Sequence, residues 1–219
     1  MKYSKRIEMI CKNLPVCTYF ADIGCDHGYC TAFMLENNLC KEAIITDISE
    51  KSLKKAEKLL ANFLLSGKLK SICTNGLQFV DEKYQQILIA GMGGEEIILI
   101  LENGFLPETL ILQPMKNSNK VRKFLLNKGY TLTKDFTFSD KKFYDLLVAQ
   151  KGVIKERKYT HLEIEYGFDN IHTPSKDFIA MIDIEFEKYK NRTLCSNIQK
   201  KIIELVQVKN EIKKYFSDT

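Results

Sequence analysis

Tyr130-Thr-Leu-Thr-Lys-Asp-Phe-Thr-Phe138 and Lys142-Phe-Tyr-Asp-Leu-Leu-Val-Ala-Gln150 are two β-type runs separated only by Ser139-Asp140-Lys141. No helical stretch fits between them, so they read as an antiparallel hairpin. The chain upstream is organised differently. Thr18–Ile23, Ala43–Thr46, Lys70–Cys73, Gln86–Ala90 and Thr109–Leu112 are short runs rich in Ile and Leu that scarcely alternate with polar residues. Strands covered on both faces of a parallel sheet have that character. Helical patterns separate them: Glu50–Leu65 behind a Ser49 cap, Glu95–Glu102, and Ser118–Asn127 closed by Gly129. Repeated strand–helix units followed by a hairpin predict an α/β fold: a mostly parallel, seven-stranded sheet whose edge is a terminal β-hairpin.

Beyond Gly152 the composition shifts toward Lys and Glu, and Gly167–Pro174 reads as a boundary loop. From Ser175 onward, Ile179, Ile182, Phe186 and Tyr189 recur at helical spacing, as do Ile198, Ile202, Leu205, Val208 and Ile212. With Asn191-Arg192-Thr193 as the turn, they predict an antiparallel helical hairpin that protrudes, its Lys- and Glu-rich faces in solvent. The expected division is 1–168 for the α/β domain and 169–219 for the hairpin.

The 219 residues are 45% hydrophobic and 28% charged, a globular balance that excludes disorder and collagen-like repeats. Apolar stretches such as Ile97–Leu101 are too short to cross a bilayer, and Met1–Arg6 leads into no secretory core. Seven cysteines without a C-x-x-C pair argue against a disulfide framework and a zinc cage. The expectation is a cytoplasmic chain with reduced thiols and no metal, a monomer in preference to an oligomer. A net charge of +5 permits a polyanionic partner without requiring one.

The first run leads into Asp22-Ile-Gly-Cys-Asp-His-Gly-Tyr29. Glycines at a strand end let backbone approach a ligand. The dinucleotide pattern G-x-G-x-x-G would need glycines where Asp26 and Tyr29 stand, and a carboxylate there repels a pyrophosphate. A cationic, phosphate-free ligand tolerates it. Asp47 lies about 20 residues beyond the turn, where an acid accepts from ribose hydroxyls or merely starts a helix. Asn75-Gly76 follows the third strand, where an adenine ring would lie, and is also a good turn.

Five βα units closed by a hairpin resemble the S-adenosylmethionine (SAM)-dependent methyltransferase layout, a Rossmann-like fold. Four segments sharpen this: Asp22–Tyr29, Ile89-Ala-Gly-Met-Gly-Gly94, Leu110-Ile-Leu-Gln-Pro114 and Phe143-Tyr-Asp-Leu-Leu-Val-Ala149. Together they resemble the TrmK family, the bacterial tRNA (adenine-22-N1)-methyltransferases, which also carry a C-terminal helical hairpin. The chain departs from the family at Met115, where Asn is usual, at Asn75, where an acid is usual, and at Asp145, where Glu is usual.

The resemblance implies SAM as cofactor and tRNA as partner. Cofactor contacts fall to Asp22, Gly24, Cys25, Gly28, Asp47, Ile48, Asn75, Gly76, Ala90, Gly91 and Met92. Asp26, His27 and Tyr29 are the candidates for base contacts and proton handling, Tyr29 by stacking on an extruded adenine. Substrate contacts fall to Arg6, Gly93, Gln113, Pro114, Lys116, Lys120 and Arg122, the basic ones through RNA phosphates. A methyltransferase for another substrate and a non-catalytic RNA-binding protein of the same fold are the alternatives.

Overall fold

A computed structural model describes residues 3–152, 157–193 and 195–217; Met1, Lys2 and part of the Lys- and Glu-rich stretch after Gly152 lie outside the described residues. The strands are β1 (Tyr19–Ile23), β2 (Glu42–Asp47), β3 (Leu69–Cys73), β4 (Gln86–Met92), β5 (Thr109–Pro114), β6 (Tyr130–Asp140) and β7 (Lys142–Lys151). Around them stand α1 (Lys5–Cys11), α2 (Tyr29–Glu36), α3 (Glu50–Leu59), α4 (Ala61–Leu65), α5 (Gly94–Glu102) and α6 (Ser118–Asn127). After the hairpin come α7 (His161–Tyr166), α8 (Phe168–His172), α9 (Lys176–Lys190) and α10 (Ser196–Ser217).

The sheet runs β3-β2-β1-β4-β5-β7-β6. The first five strands pair in parallel, and β7 joins β5 antiparallel, with Leu112 opposite Leu147. Both alternating sets of strand side chains are apolar. Phe20, Ile45, Leu88, Ile111 and Val148 enter a core covered by α1, α2 and α3. Ala21, Ile44, Ile87, Ile89, Leu110 and Leu147 enter a second core beneath α5 and α6. This two-sided burial is why the runs lack a polar period.

Three local readings are corrected. No element is expected before the first strand, yet Ser4 caps α1 there, its hydroxyl accepting from Ile7 N at 3.3 Å. The helix expected over 50–65 breaks at Leu60, whose φ of −102° and ψ of 17° divide α3 from α4. The boundary loop expected over Gly167–Pro174 holds α8, which leaves Gly167 at a φ of +97°.

The C-terminal helices build a third core from Tyr166, Ile171, Phe178, Ile182, Leu205, Val208 and Ile212. Its base is docked on the sheet edge. Asn170 is buried and accepts from Thr137 N at 2.9 Å, and Asp177 accepts from Ser139 N and Oγ, both at 2.9 Å. Lysines on the outer faces remain exposed, among them Lys188 and Lys200.

Arg122 is the clearest departure from the sequence reading. It is fully buried, with no exposed side-chain area to offer an RNA phosphate. Its guanidinium bonds Asp135 at 2.9 Å, Asp145 at 3.1 Å and the Glu165 carbonyl at 3.0 Å. It ties α6, both hairpin strands and α7 into one unit. Removing one partner of a buried ion cluster leaves uncompensated charge behind. Arg122→Ala is expected to lower stability by about 3–5 kcal/mol. Chemical denaturation checks this, and a loss below about 1 kcal/mol would return Arg122 to the surface.

Candidate active site

The C-terminal ends of the parallel strands open on the same side, where α/β sheets bind ligands at the reversal of strand order. That reversal lies between β1 and β4. Two adjoining cavities occupy it. The smaller, about 90 Å³, is lined by Asp22, Gly24, Cys25, Asp26, His27 and Tyr29, with Arg6, Ile7 and Ile10 of α1. The larger, about 350 Å³, is lined by Asp47, Ile48, Thr74, Asn75, Gly76, Ala90, Gly91 and Met92, with Glu96 and Ile100 of α5. Arg6, Gly24, Asp26 and Ala90 line both.

The turn after β1 is fixed by backbone bonds. Gly24 N and Cys25 N donate to the Thr46 carbonyl at 2.8 and 3.0 Å, and Asp26 N donates to Asp47 Oδ2 at 3.1 Å. Asp47 Oδ1 accepts from Ser49 N at 2.8 Å. Asp47 lines the larger cavity, and each of its oxygens keeps acceptor capacity, since a carboxylate has about four acceptor sites. Gly24, at a φ of +70°, faces the Met92 methyl, which a Cβ there would displace. Gly91 lies at a φ of +87° with Arg6 Nη2 against it, where a Cβ would come within 2.7 Å. Both positions use glycine for its positive φ, and the side-chain ends they face are ones that could move.

Asp26 and His27 form a pair, Oδ2 to Nδ1 at 2.8 Å, and the His27 ring lies nearly parallel to Tyr29 at a centroid distance of 5.5 Å. Half-exposed residues thus make an aromatic wall with a carboxylate at its edge. Asp22 is buried and accepts from Thr31 Oγ1 at 2.8 Å. Burial outweighs that bond and lifts its carboxyl to about 6. Burial and the neighbouring carboxylates of Asp22, Asp47 and Asp26 also hold the Cys25 thiol well above its ordinary range. Cys25 is a small packing group and not an activated thiolate.

The substrate-side residues separate into groups. Arg6 does not sit on an outer surface: α1 delivers its guanidinium into the cleft, with Nε on Gln113 Oε1 at 2.7 Å and the plane 5.6 Å from the Tyr144 ring centroid. Gln113 and Pro114 are buried, so Gln113 reaches the cleft only through Arg6. Lys116 is exposed on the rim, its side chain over Gly93. Lys120 is exposed and pairs with Glu95 at 2.7 Å. Gly28 caps α2 behind the turn. Thr74, Glu96 and Ile100 line the cleft unforeseen. Nothing in the sequence distinguishes Thr74, whereas Ser4 as a cap and the spacing of Ile7, Ile10 and Cys11 are signals from which the helix that carries Arg6 could have been found.

Residues 3–147 match the family described as Methyltransferase domain. The chain belongs to the methyltransferase-domain family. The likeness to TrmK extends further. A tRNA (adenine(22)-N(1))-methyltransferase of Bacillus subtilis is 31% identical over 158 residues, 69% of this chain and 66% of that relative, slightly less than two thirds of its length. The structure of M. capricolum TrmK in complex with S-adenosyl-homocysteine (SAH) superposes with a TM-score of 0.81 at 26% identity, covering 99% of both chains. The crystal structure of Bacillus subtilis TrmK superposes with a TM-score of 0.76 at 24% identity, over 98% of each chain. These likenesses bear out the methyltransferase fold with its terminal hairpin and C-terminal helices.

The cleft of this methyltransferase domain fits a SAM-type ligand on its own donor set. Asp47 offers acceptors for a ribose, Asn75 offers both halves of an amide, and the buried Thr74 hydroxyl has no partner within the described residues. Among the described residues, no group of His, Cys, Asp and Glu is placed to hold a metal ion. No helix among them is long and apolar enough to cross a membrane.

Asp22 gives a test of the site's electrostatics. Its folded carboxyl lies above the ordinary 3.8, so its stabilising contribution is complete below about pH 4 and is lost as pH rises through about 6. Asp22→Asn keeps an acceptor for Thr31 and stays neutral. The variant is expected to exceed wild type in stability by about 1–3 kcal/mol at pH 7.5, with little difference at pH 4. Denaturation curves at both pH values check it; identical curves would show that Asp22 ionises without cost.

Proposed function

We propose that this chain is a SAM-dependent methyltransferase that forms N1-methyladenosine at position 22 of tRNA. The observation that carries the reading is the pair of joined cavities. One is bounded by a ribose-type acid and an amide, the other by an Asp–His pair and an aromatic wall, and they meet at Gly24, Asp26, Ala90 and Arg6. The activity of the TrmK relatives supplies the nucleic acid and the position.

SAM would be held by Asp47 at the ribose, by Asn75 and Ile48 around the adenine, and by Asp22 near the cationic amino group. When bound, it supplies a methyl group activated by a sulfonium. The protein's work is alignment, exclusion of water and charge handling. Gly91 and Gly93 leave room at the fourth strand's end for a base to approach. Tyr29, backed by His27, stacks the extruded adenine. Its ring N1 has a free lone pair for the methyl carbon, whose bond to sulfur would break as SAH leaves, so no base is needed beforehand. The product ring is cationic, which makes its amino group acidic enough to release a proton to a suitably placed base. Asp26, hydrogen-bonded to His27 at 2.8 Å, accepts it.

The helical unit beyond about residue 168 acts in this reading as an RNA arm of a cytoplasmic monomer. Lys116 and Lys120 on the rim and Lys188, Arg192 and Lys200 on the arm neutralise phosphates.

Incubation with labelled SAM and unmodified total tRNA is expected to give N1-methyladenosine on nucleoside analysis. A methylated guanosine, or no labelled nucleoside, would refute the assignment. Neutralising Lys188, Arg192 and Lys200 together is expected to weaken tRNA binding and flatten its salt dependence, by a slope of about 0.9 for each duplex phosphate left without its cation. SAH affinity should stay unchanged. Equal tRNA affinity across salt concentrations would remove the arm from the RNA interface.

A further inference from the structure

Buried hydroxyls in this protein are satisfied, with one exception among the described residues. Thr31 Oγ1 donates to Asp22 Oδ2 at 2.8 Å, Thr46 Oγ1 to the Gly76 carbonyl at 3.3 Å, and Thr137 Oγ1 to Asp145 Oδ1 at 2.7 Å. Thr74 is 7% exposed, and its Oγ1 is the one buried side-chain polar atom among the described residues with no hydrogen-bond partner. Such an orphan destabilises the free protein, because the group has left water without gaining a partner. The backbone around it is well ordered, with Thr74 N donating to the Asp47 carbonyl at 3.1 Å. The residue follows β3 directly and lines the larger cavity between Asp47 and Asn75. An unmet polar atom at this place has a reason if a ligand completes it.

We propose that Thr74 is a cofactor-recognition residue whose hydroxyl is completed by the adenosine part of SAM. The inference rests on the cofactor reading above and adds a specific group to it. The larger cavity holds several kinds of ligand contact: Ile48 and Ile100 offer apolar faces, the Asp47 carboxylate accepts, and Asn75 both donates and accepts. Thr74 adds a neutral hydroxyl that can donate to a ring nitrogen or accept from an amino or sugar hydroxyl group. Thr74 lines this cavity, and its backbone N is already held by the Asp47 carbonyl, so the hydroxyl is the polar group it has left for a ligand. The unliganded protein carries the cost of the bare hydroxyl, and binding removes it. Thr74 therefore affects the free protein and the complex in opposite directions, which a residue serving packing alone does not do.

The test compares full-length wild type, Thr74→Val and Thr74→Ser by calorimetry with SAH and by thermal unfolding without ligand. Valine keeps the shape and removes the hydroxyl; serine keeps the hydroxyl. Thr74→Val is expected to bind SAH about five- to tenfold more weakly, the size of one hydrogen bond, while its unliganded melting temperature is unchanged or raised. Thr74→Ser is expected to hold SAH affinity within about twofold of wild type. If Thr74→Val binds SAH as tightly as wild type, the hydroxyl is met by water or stays unmet, and the proposal falls. A lower unliganded melting temperature for Thr74→Val with unchanged affinity also overturns it, by showing a bond within the protein. Failure of the wild type itself to bind SAH would overturn the cofactor reading, and this inference with it.

Discussion

The strand order reverses between β1 and β4, and the position of everything functional depends on that reversal. At that point the connections leave in opposite directions and cannot fill the space above the strand ends. A crevice results, whatever residues line it. The sequence then decides what the crevice holds. Glycines at 24 and 91 thin its walls, and acids at 22, 26 and 47 make it hostile to phosphate. Arg6 arrives from outside the sheet order altogether, on a helix that precedes β1.

Much of this was legible in the sequence because it is local. Most strands of the parallel sheet are short runs dominated by apolar residues, Leu69–Cys73 with its Lys70 and Ser71 being the least so, and each strand-end residue follows its run directly. The hairpin was equally plain, since no helix fits between Phe138 and Lys142. The misses share a different cause. Arg122 looks like one of several cations in a lysine-rich helix. Its partners lie 13 and 23 residues further on, and only the folded hairpin brings them together. The split at Leu60 has no glycine or proline to announce it. The role of Thr74 is defined by what it does not bond, and no spacing rule encodes an absence.

The two kinds of buried charge serve different ends. Arg122 is fully partnered, so its cluster specifies how the hairpin, α6 and α7 sit together. Such a cluster favours one arrangement over others more than it adds net stability. Asp22 is bonded by Thr31 and, among the described residues, by no cation, and its acidity is weakened as a result. Among the described residues the one buried side-chain polar atom without a partner, Thr74 Oγ1, belongs to a cleft residue, and so does the buried carboxyl of Asp22, whose charge no cation offsets. Stability is given up where a ligand can return it.

The hairpin tip has a mechanical consequence. Asp140 accepts from Arg6 N at 2.9 Å, and its neighbour Ser139 holds Asp177 at the start of α9. Lys5 closes the third side, reaching Asp177 at 3.5 Å. Helices from opposite ends of the polypeptide are thus moored to two consecutive residues, which makes the chain a closed loop in terms of force. A pull on the arm is delivered to the helix bearing Arg6 within a few ångströms, through the Lys5–Asp177 pair and the last two residues of β6.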